Sequence, residues 1–522
     1  MTALAYRPET ETPPRDGFAQ LLHAEWTKLR SVRGWVVGLF LVGALLVGIG
    51  VLTASGSSAS CGPVKCQNTV TVGPTGVGVT DAFFFAHQSL DGDGSITVRI
   101  ASLTGEIMSG GAGPREAGTP DRGRPGLVPW SKAGIIVKDG TRPGSTYAAV
   151  LVTGGHGVRM QYDYVHDIAG PADARWLRLV RSGDRLTGYA SMDGASWTRI
   201  GTARLRGLPA VAQAGLFAAS PAHSDLVYRR LGGTSTTGGP TTATATFADI
   251  RREGRWGGET WQGETVGGGT DMYPALPGRL SQDGGQVVVT GSGDIAPSTP
   301  WTGGPGQALE ASLTGATAGL IAALVVGGLF ITTEFRRGLI RTSLLASPRR
   351  GRVLAAKAVV LGGAVFAIGF LACAVAVLVT RPIMVRNGNS LLPAPFLTAV
   401  QVYAGTAALL AFGAILALAL GTVLRRGVAA VSAALAVIVL PFILATANVL
   451  SVDASAWVLR LSPAAGYAMQ QSIPHYHQVE TGAAAAAAGL FPVPAWGGLL
   501  VMSAYTALAL ALAAYRLRRR DA

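Results

Sequence analysis

The sequence predicts an α-helical polytopic membrane protein of six transmembrane helices, with a large all-β insertion between helices one and two. Three observations carry that reading. Six charge-free runs reach the roughly 18 residues needed to cross a hydrocarbon layer of about 30 Å. The gaps between them are very uneven, and the first spans about 255 residues rich in turn signals. The 522 residues are 49% hydrophobic and 14% charged, where a soluble chain carries about 25% charge. A mean hydropathy of +0.36 is nevertheless too low for a chain that is membrane throughout, so it averages two unlike parts. The same numbers exclude disorder, and the 71 glycines fall at no period of three, which excludes collagen.

In chain order, residues 1–34 form an N-terminal segment in which Phe18, Leu21, Leu22, Trp26 and Leu29 recur at helical spacing. That spacing predicts an amphipathic helix on the inner membrane face. Helix one occupies 35–53, with Trp35–Leu52 as its apolar run. This stretch also has the outline of a cleaved signal peptide; the long lead and the amphipathic approach favour a retained span. Residues 54–310 form the insertion, and 311–522 hold the other five helices. Their runs are Ala311–Thr333, Ala358–Thr380, Phe396–Leu424, Gly427–Val452 and Pro494–Tyr515, with a basic loop at 334–357. Pro441 inside the fifth is expected to kink it.

Charge sets the orientation. Sixteen Lys and Arg lie on alternate flanks: Lys28, Arg30 and Arg33 before helix one, seven residues from Arg336 to Lys357, then Arg425 and Arg426, and four from Arg516 to Arg520. The opposite flanks after the insertion hold Arg381, Arg386 and Arg460. Cytoplasmic loops are the ones enriched in Lys and Arg. Both termini are then cytoplasmic, residues 54–310 are extracellular, and the protein is multi-pass in the cytoplasmic membrane. The net charge of +14 does not imply nucleic acid, because the insertion holds 22 basic against 21 acidic residues. The excess sits on helix flanks.

Within the insertion, Ser95–Leu103, Ala133–Lys138, Tyr147–Thr153, Trp176–Arg181, Arg185–Ser191 and Trp197–Ile200 read as short strands separated by Gly, Asp and Pro turns. Strands at this spacing suggest a two-sheet sandwich over about 80–230. Residues 231–305 read as a linker, rich in Gly, Ser and Thr to Pro240, and a small β unit that either stands alone or completes the sandwich. Cys61 and Cys66 lie outside helix one at a spacing that suits a small disulfide loop, with free thiols as the alternative. Cys373 lies in a span and reads as a packing residue.

Motif chemistry points away from catalysis, and no catalytic residue, metal site or cofactor is expected on this chain. None of the five lysines follows a glycine, so there is no Walker A loop. Asp91-Gly-Asp-Gly-Ser95 starts like a calcium loop but has Ser102 at the twelfth position, so a plain turn is favoured. His475 and His477 lack a third ligand. Glu106 and Glu116 carry nothing that marks a glycosidase pair. No buried ionisable residue of the kind that marks an ion or proton route is expected within the membrane block, which disfavours a proton-driven carrier and leaves bulky or apolar cargo such as lipid, peptide or antibiotic.

Two resemblances follow from these residues. Trp130–Val137, Arg175–Asp184 and Ser191–Trp197 look like the concanavalin/laminin-G-like jelly rolls of bacterial surface proteins, which implies a jelly-roll fold and a cell-envelope polysaccharide or surface ligand. Glu25-Trp-Thr-Lys-Leu-Arg30, with Glu334-Phe-Arg-Arg-Gly338 and its continuation to Arg352, resembles the permease subunits of type-two ABC transporters of high-GC bacteria. That resemblance implies an N-terminal interface at Glu25, Trp26, Lys28 and Arg30, and an ATPase-coupling surface at Glu334, Arg336, Arg337, Gly338, Leu339, Arg341 and Leu344. It further implies a separate ABC ATPase subunit that binds the ATP, and a second permease copy or paralogue beside it in membrane lipid. The alternative is a membrane-anchored surface receptor or carbohydrate-binding protein without transport activity, for which six spans are more than anchoring needs.

Overall fold

The computed structural model describes residues 17–58, 60–61, 64–65, 70–108, 123–228, 234–268, 276–300, 306–340, 349–447, 449–479 and 489–519. Eight α-helices are described: α1 Phe18–Ser31, α2 Arg33–Gly56, α3 Ala316–Arg336, α4 Arg350–Arg386, α5 Phe396–Leu424, α6 Gly427–Thr446, α7 Val452–Leu461 and α8 Ala495–Arg519. All but α1 and α7 are long and apolar enough to span a membrane. They coincide with the six runs because a continuous apolar run in lipid has only the helix as a way to satisfy its backbone.

α5 is the centre of the block, packed against α3, α4, α6 and α8. Leu320 and Leu324 of α3 and Leu410, Ala414 and Leu418 of α5 are buried in one apolar cluster. The crossing is close because Gly327 presents no side chain: a Cβ there would stand 2.1 Å from the Ala414 carbonyl oxygen. Small residues let helix backbones approach in this way where no hydrophobic effect drives them together.

One element departs from expectation. The fifth apolar run does not continue to Val452; α6 ends at Thr446 and the chain turns back as α7 and a 3-10 helix, Pro463–Gln470. Ser451 caps α7 by accepting from the Ala454 N–H at 3.3 Å, and Ser462 caps the 3-10 helix in the same manner. Tyr467 of that helix is buried and stacks on Phe442 of α6 at 3.7 Å between ring centres. Apolarity alone does not reveal such a re-entry, because a helix and a returning turn bury the same residue types.

Between α2 and α3 stands an antiparallel β-sandwich. We number its strands β1 Val79–Asp81, β2 Phe83–Ile107, β3 Lys132–Lys138, β4 Tyr147–Thr153, β5 Val158–Tyr162, β6 His166–Ala169, β7 Trp176–Ser182, β8 Arg185–Ser191, β9 Thr198–Arg204, β10 Val211–Ala219, β11 Thr241–Trp256, β12 Gln262–Val266, β13 Arg279–Asp283, β14 Gln286–Gly291 and β15 Ile295–Pro297. β2 belongs to both sheets. Its first half pairs with β10 and β12, and its second half with β7 and β11. The switch lies at Asp91-Gly-Asp-Gly94, where Gly92 has φ +70° and a Cβ on Gly94 would stand 2.5 Å from the Glu253 carbonyl oxygen. The sequence that starts like a calcium loop is therefore a strand bend. Leu90, Ile96, Val98, Ile135, Val150, Leu177 and Leu216 are among the residues filling the space between the sheets.

Within 231–305 the linker expectation needs correction, and of the two alternatives for the β part the one that completes the sandwich holds. Thr234–Gly239 is not a linker but a strand paired with His223–Tyr228, and β11 to β14 do not form a separate small unit. They extend both sheets through β2 and β14, since β11 pairs with β2 from Thr241 to Trp256. The stretch up to Pro240 is rich in Gly, a residue with little strand preference, which is why its composition reads as linker.

The outer face of the first sheet is covered by a second layer. β1 and β15 pair there, and Phe83, Phe85, Ile136, Leu151 and Phe217 are buried under them. Two lysines of β3 fasten it: Lys138 Nζ lies 2.8 Å from Asp81 Oδ2 and 3.1 Å from the Tyr164 hydroxyl, and Lys132 Nζ lies 2.6 Å from Asp294. Burial pulls the Lys138 ammonium below its ordinary range and the Asp81 charge opposes it. This layer also meets the helical block. Gln478 donates to the Tyr164 carbonyl oxygen at 3.0 Å, and Leu392, whose N–H donates to the Gln307 carbonyl oxygen at 2.9 Å, packs against Gly78. The loops after α4 and after the 3-10 helix thus form the seat of the sandwich.

Candidate functional site

At the end of the helical block away from the sandwich, three helices bring four charges together. α1 bends into α2 at Val32, whose extended backbone (φ −90°, ψ 107°) breaks the helix. The bend lays α1 against α4. Leu29 and, one turn before it, Glu25 form its buried face. Glu334 stands in the last turn of α3, one turn after buried Phe330. Lys357 stands near the second turn of α4 and is fully buried.

The geometry is compact. Lys357 Nζ donates to Glu25 Oε1 and Oε2 at 2.8 and 2.9 Å and to Glu334 Oε1 at 2.7 Å. Those three acceptors match the three donors of an ammonium. Lys28, one turn along α1 from Glu25, donates to the same Glu334 oxygen and lies 3.8 Å from Glu25. Lys357 also lies over the Phe330 ring at 5.5 Å. Burial alone would lower the Lys28 pKa, but the hydrogen bond and charge of Glu334 outweigh it and hold it above 10.5. Two carboxylates and two ammoniums make the cluster neutral. Glu334 Oε2 has no hydrogen-bond partner among the described residues. The arrangement supplies no nucleophile and no cleft; it fastens α1, α3 and α4.

The two sequence motifs therefore divide. Glu25 and Lys28 of the N-terminal motif meet Glu334 of the loop motif, whereas Trp26 and Arg30 stay exposed. Arg336 ends α3 and, with Arg337, Gly338 and Leu339 after it, is exposed, with Gly338 at φ +70° reversing the chain and Ile340 buried behind it. Arg341 and Leu344 lie outside the described residues, as do Glu116 and Cys66, and with Cys66 the Cys61–Cys66 pair. Arg425 adopts φ +56° at the end of α5 and places its guanidinium 5.2 Å from the Phe335 ring. At the sandwich end, the His475 and His477 rings are 5.1 Å apart.

Sequence reasoning missed Lys357 as a member of the site and expected no buried ionisable residue of the kind that marks an ion or proton route in the membrane block. The structure corrects that expectation: Glu25, Glu334 and Lys357 are all buried. A usable signal existed. Glu334 and Lys357 are charges of opposite sign close against the ends of two successive apolar runs, and Glu25 shares a helical face with Leu29.

The model of the ABC-2 family transporter protein matches residues 29–522. No curated protein matches the chain. Among solved structures, a functionally unknown protein from Saccharomyces cerevisiae is similar at 16% identity, covering 37% of this chain and 85% of its own, with a TM-score of 0.19. A mutant GH43 protein from Bacillus licheniformis is similar at 13% identity over 31% of this chain and 28% of its own, with a TM-score of 0.17. A member of the Eqolisin family of peptidases in complex with a tripeptide is similar at 8% identity over 40% of this chain and 98% of its own, with a TM-score of 0.22. At such scores these likenesses say nothing about activity. Six membrane-spanning helices and a family match over nearly the whole chain place this protein in the ABC-2 family of transporter proteins, as a membrane permease of the ABC type.

Proposed function

We propose that the chain is the permease subunit of a transporter driven by a separate ATPase, and that the Glu25–Lys357–Glu334–Lys28 cluster joins the ATPase-facing surface to the spans. The supporting observation is that cluster. It ties α1 and the last turn of α3, which carries the exposed Arg336–Leu339 turn, to the start of the 37-residue helix α4. A push on α1 or on that turn reaches α4 through buried charge-assisted bonds. Positive-inside bias makes this end cytoplasmic and the sandwich extracellular. The Arg336 and Arg337 charges would pair with the ATPase, and Leu339 would pack beside them. A second permease copy or paralogue completes the assembly, and the sandwich meets cargo or a cell-envelope polymer.

The reading is tested by co-purifying the ATPase with the permease from native membranes. Charge reversal at Arg336 and Arg337 is expected to lower recovery of the ATPase by at least about tenfold. Unchanged recovery together with unchanged ATP-dependent transport would refute the coupling surface.

A further inference from the structure

We propose that the cleft between the start of α4 and the end of α8 binds the phosphate of an anionic lipid headgroup. The cleft has a volume of about 570 Å³ and is lined by Arg349, Arg350, Gly351, Arg352, Ala355 and Arg518. Four of its six lining residues are arginines and none is acidic. Arg350 Nη1 donates to the Leu517 carbonyl oxygen at 2.6 Å, which ties the two helices together at the cleft. Arg518 reaches across from α8: its Nη2 lies 3.6 Å from where a Cβ on Gly351 would stand. The guanidinium thus sits directly over the Gly351 backbone.

Such a concentration of guanidinium groups suits a phosphate, which accepts paired N–H donors from arginine forks. The cleft also sits on the first turn of α4, which carries no acidic residue, so the partial positive charge of the helix end adds to the field. A zwitterionic headgroup would bring a second cation against four arginines. The site therefore selects net-negative headgroups.

The depth of the site favours lipid over a soluble anion. One turn from Ala355 on α4 stands exposed Val359, and one turn from Arg518 on α8 stands exposed Tyr515, followed by exposed Leu512 and Leu508. Arg519 lies over the Tyr515 ring at 4.6 Å, the arrangement of an interfacial aromatic with a basic neighbour. An acyl chain leaving the cleft meets an apolar strip immediately. Basic pockets beside spans on this side of a membrane take anionic headgroups. The inference rests on the cytoplasmic orientation proposed above for this end but needs neither an ATPase nor the Glu25 cluster.

The test uses the full chain in lipid nanodiscs with photoactivatable phosphatidylglycerol or phosphatidylcholine, followed by mapping of the labelled peptides. Phosphatidylglycerol should label residues 349–359 and 508–519, and the triple variant Arg349→Gln, Arg352→Gln, Arg518→Gln should lose at least about tenfold of that labelling. Equal labelling by the phosphatidylcholine probe, or labelling confined to other segments, overturns the proposal. Inorganic phosphate in excess should leave the labelling intact; displacement by it would assign the cleft to a soluble anion and overturn the lipid reading. Should the triple variant not fold, the contrast between the two probes on the native chain still decides.

Discussion

Lys357 is the residue on which most depends. It is buried between two carboxylates, so removing its charge leaves Glu25 and Glu334 with Lys28 as the one remaining cation of the cluster among the described residues. Loss of one partner from a buried charge network costs about 3–5 kcal/mol. Lys357→Met is therefore expected to lower the thermal unfolding temperature of the detergent-solubilised protein markedly. Adding Glu25→Gln and Glu334→Gln to it should recover much of the loss, because the orphaned charges then go too. Lys28→Met should cost less, since its side chain is about 31% exposed and water screens what it loses.

Glu310, just before α3, offers a pH prediction at the same scale. Its Oε2 accepts from the Ser472 N–H at 3.3 Å and from the Ser472 hydroxyl, and burial raises its pKa above 4.5. A carboxyl whose folded pKa is raised contributes stability that is fully present below 4.5 and is lost as pH rises through the folded value. Unfolding followed from pH 4 to 8 should show native stability falling across that window relative to Glu310→Gln, which has no such proton to lose. Parallel curves for the two proteins would contradict this.

At the scale of elements, the helices and most strands are legible in the sequence for a simple reason. Apolar runs and alternating runs are local, and lipid or a sheet face selects for them directly. What is not legible is long-range. The partners Glu25 and Lys357 are 332 residues apart, and no local pattern signals a bond between them. The same holds for β2, whose two halves pair in different sheets, and for β11, whose partner β2 lies far back in the chain. The α3–α5 crossing yields a test. At Gly327 any side chain collides with the Ala414 backbone, whereas Gly363 in α4 has nothing within 4 Å. Gly327→Leu should abolish recovery of monodisperse protein, and Gly363→Leu should leave the elution profile on size-exclusion chromatography unchanged.

In the whole molecule, the sandwich and the helical block share a seat. Leu392 is 5% exposed and packs near Gly78 and Gly306, between the Gln307 backbone bonds and the covering layer of the sandwich. Leu392→Arg would bury an unpaired charge at that junction, at a cost of several kcal/mol if the junction stayed closed. The junction should open instead. Limited proteolysis should then cleave the chain between sandwich and block faster than in the native protein, while the helical block itself remains intact. Equal cleavage rates would show that the seat does not hold the sandwich.

The central claim is that motion at the basic end reaches the sandwich end through the buried cluster. Spin labels at Leu397 and Trp496, both exposed at the sandwich end of their helices, report on that motion by pulsed electron resonance in the complex with its ATPase. ATP with vanadate should change the distance distribution in the native permease and leave it unchanged in Lys357→Met that still holds the ATPase. The same change in both proteins would contradict the account.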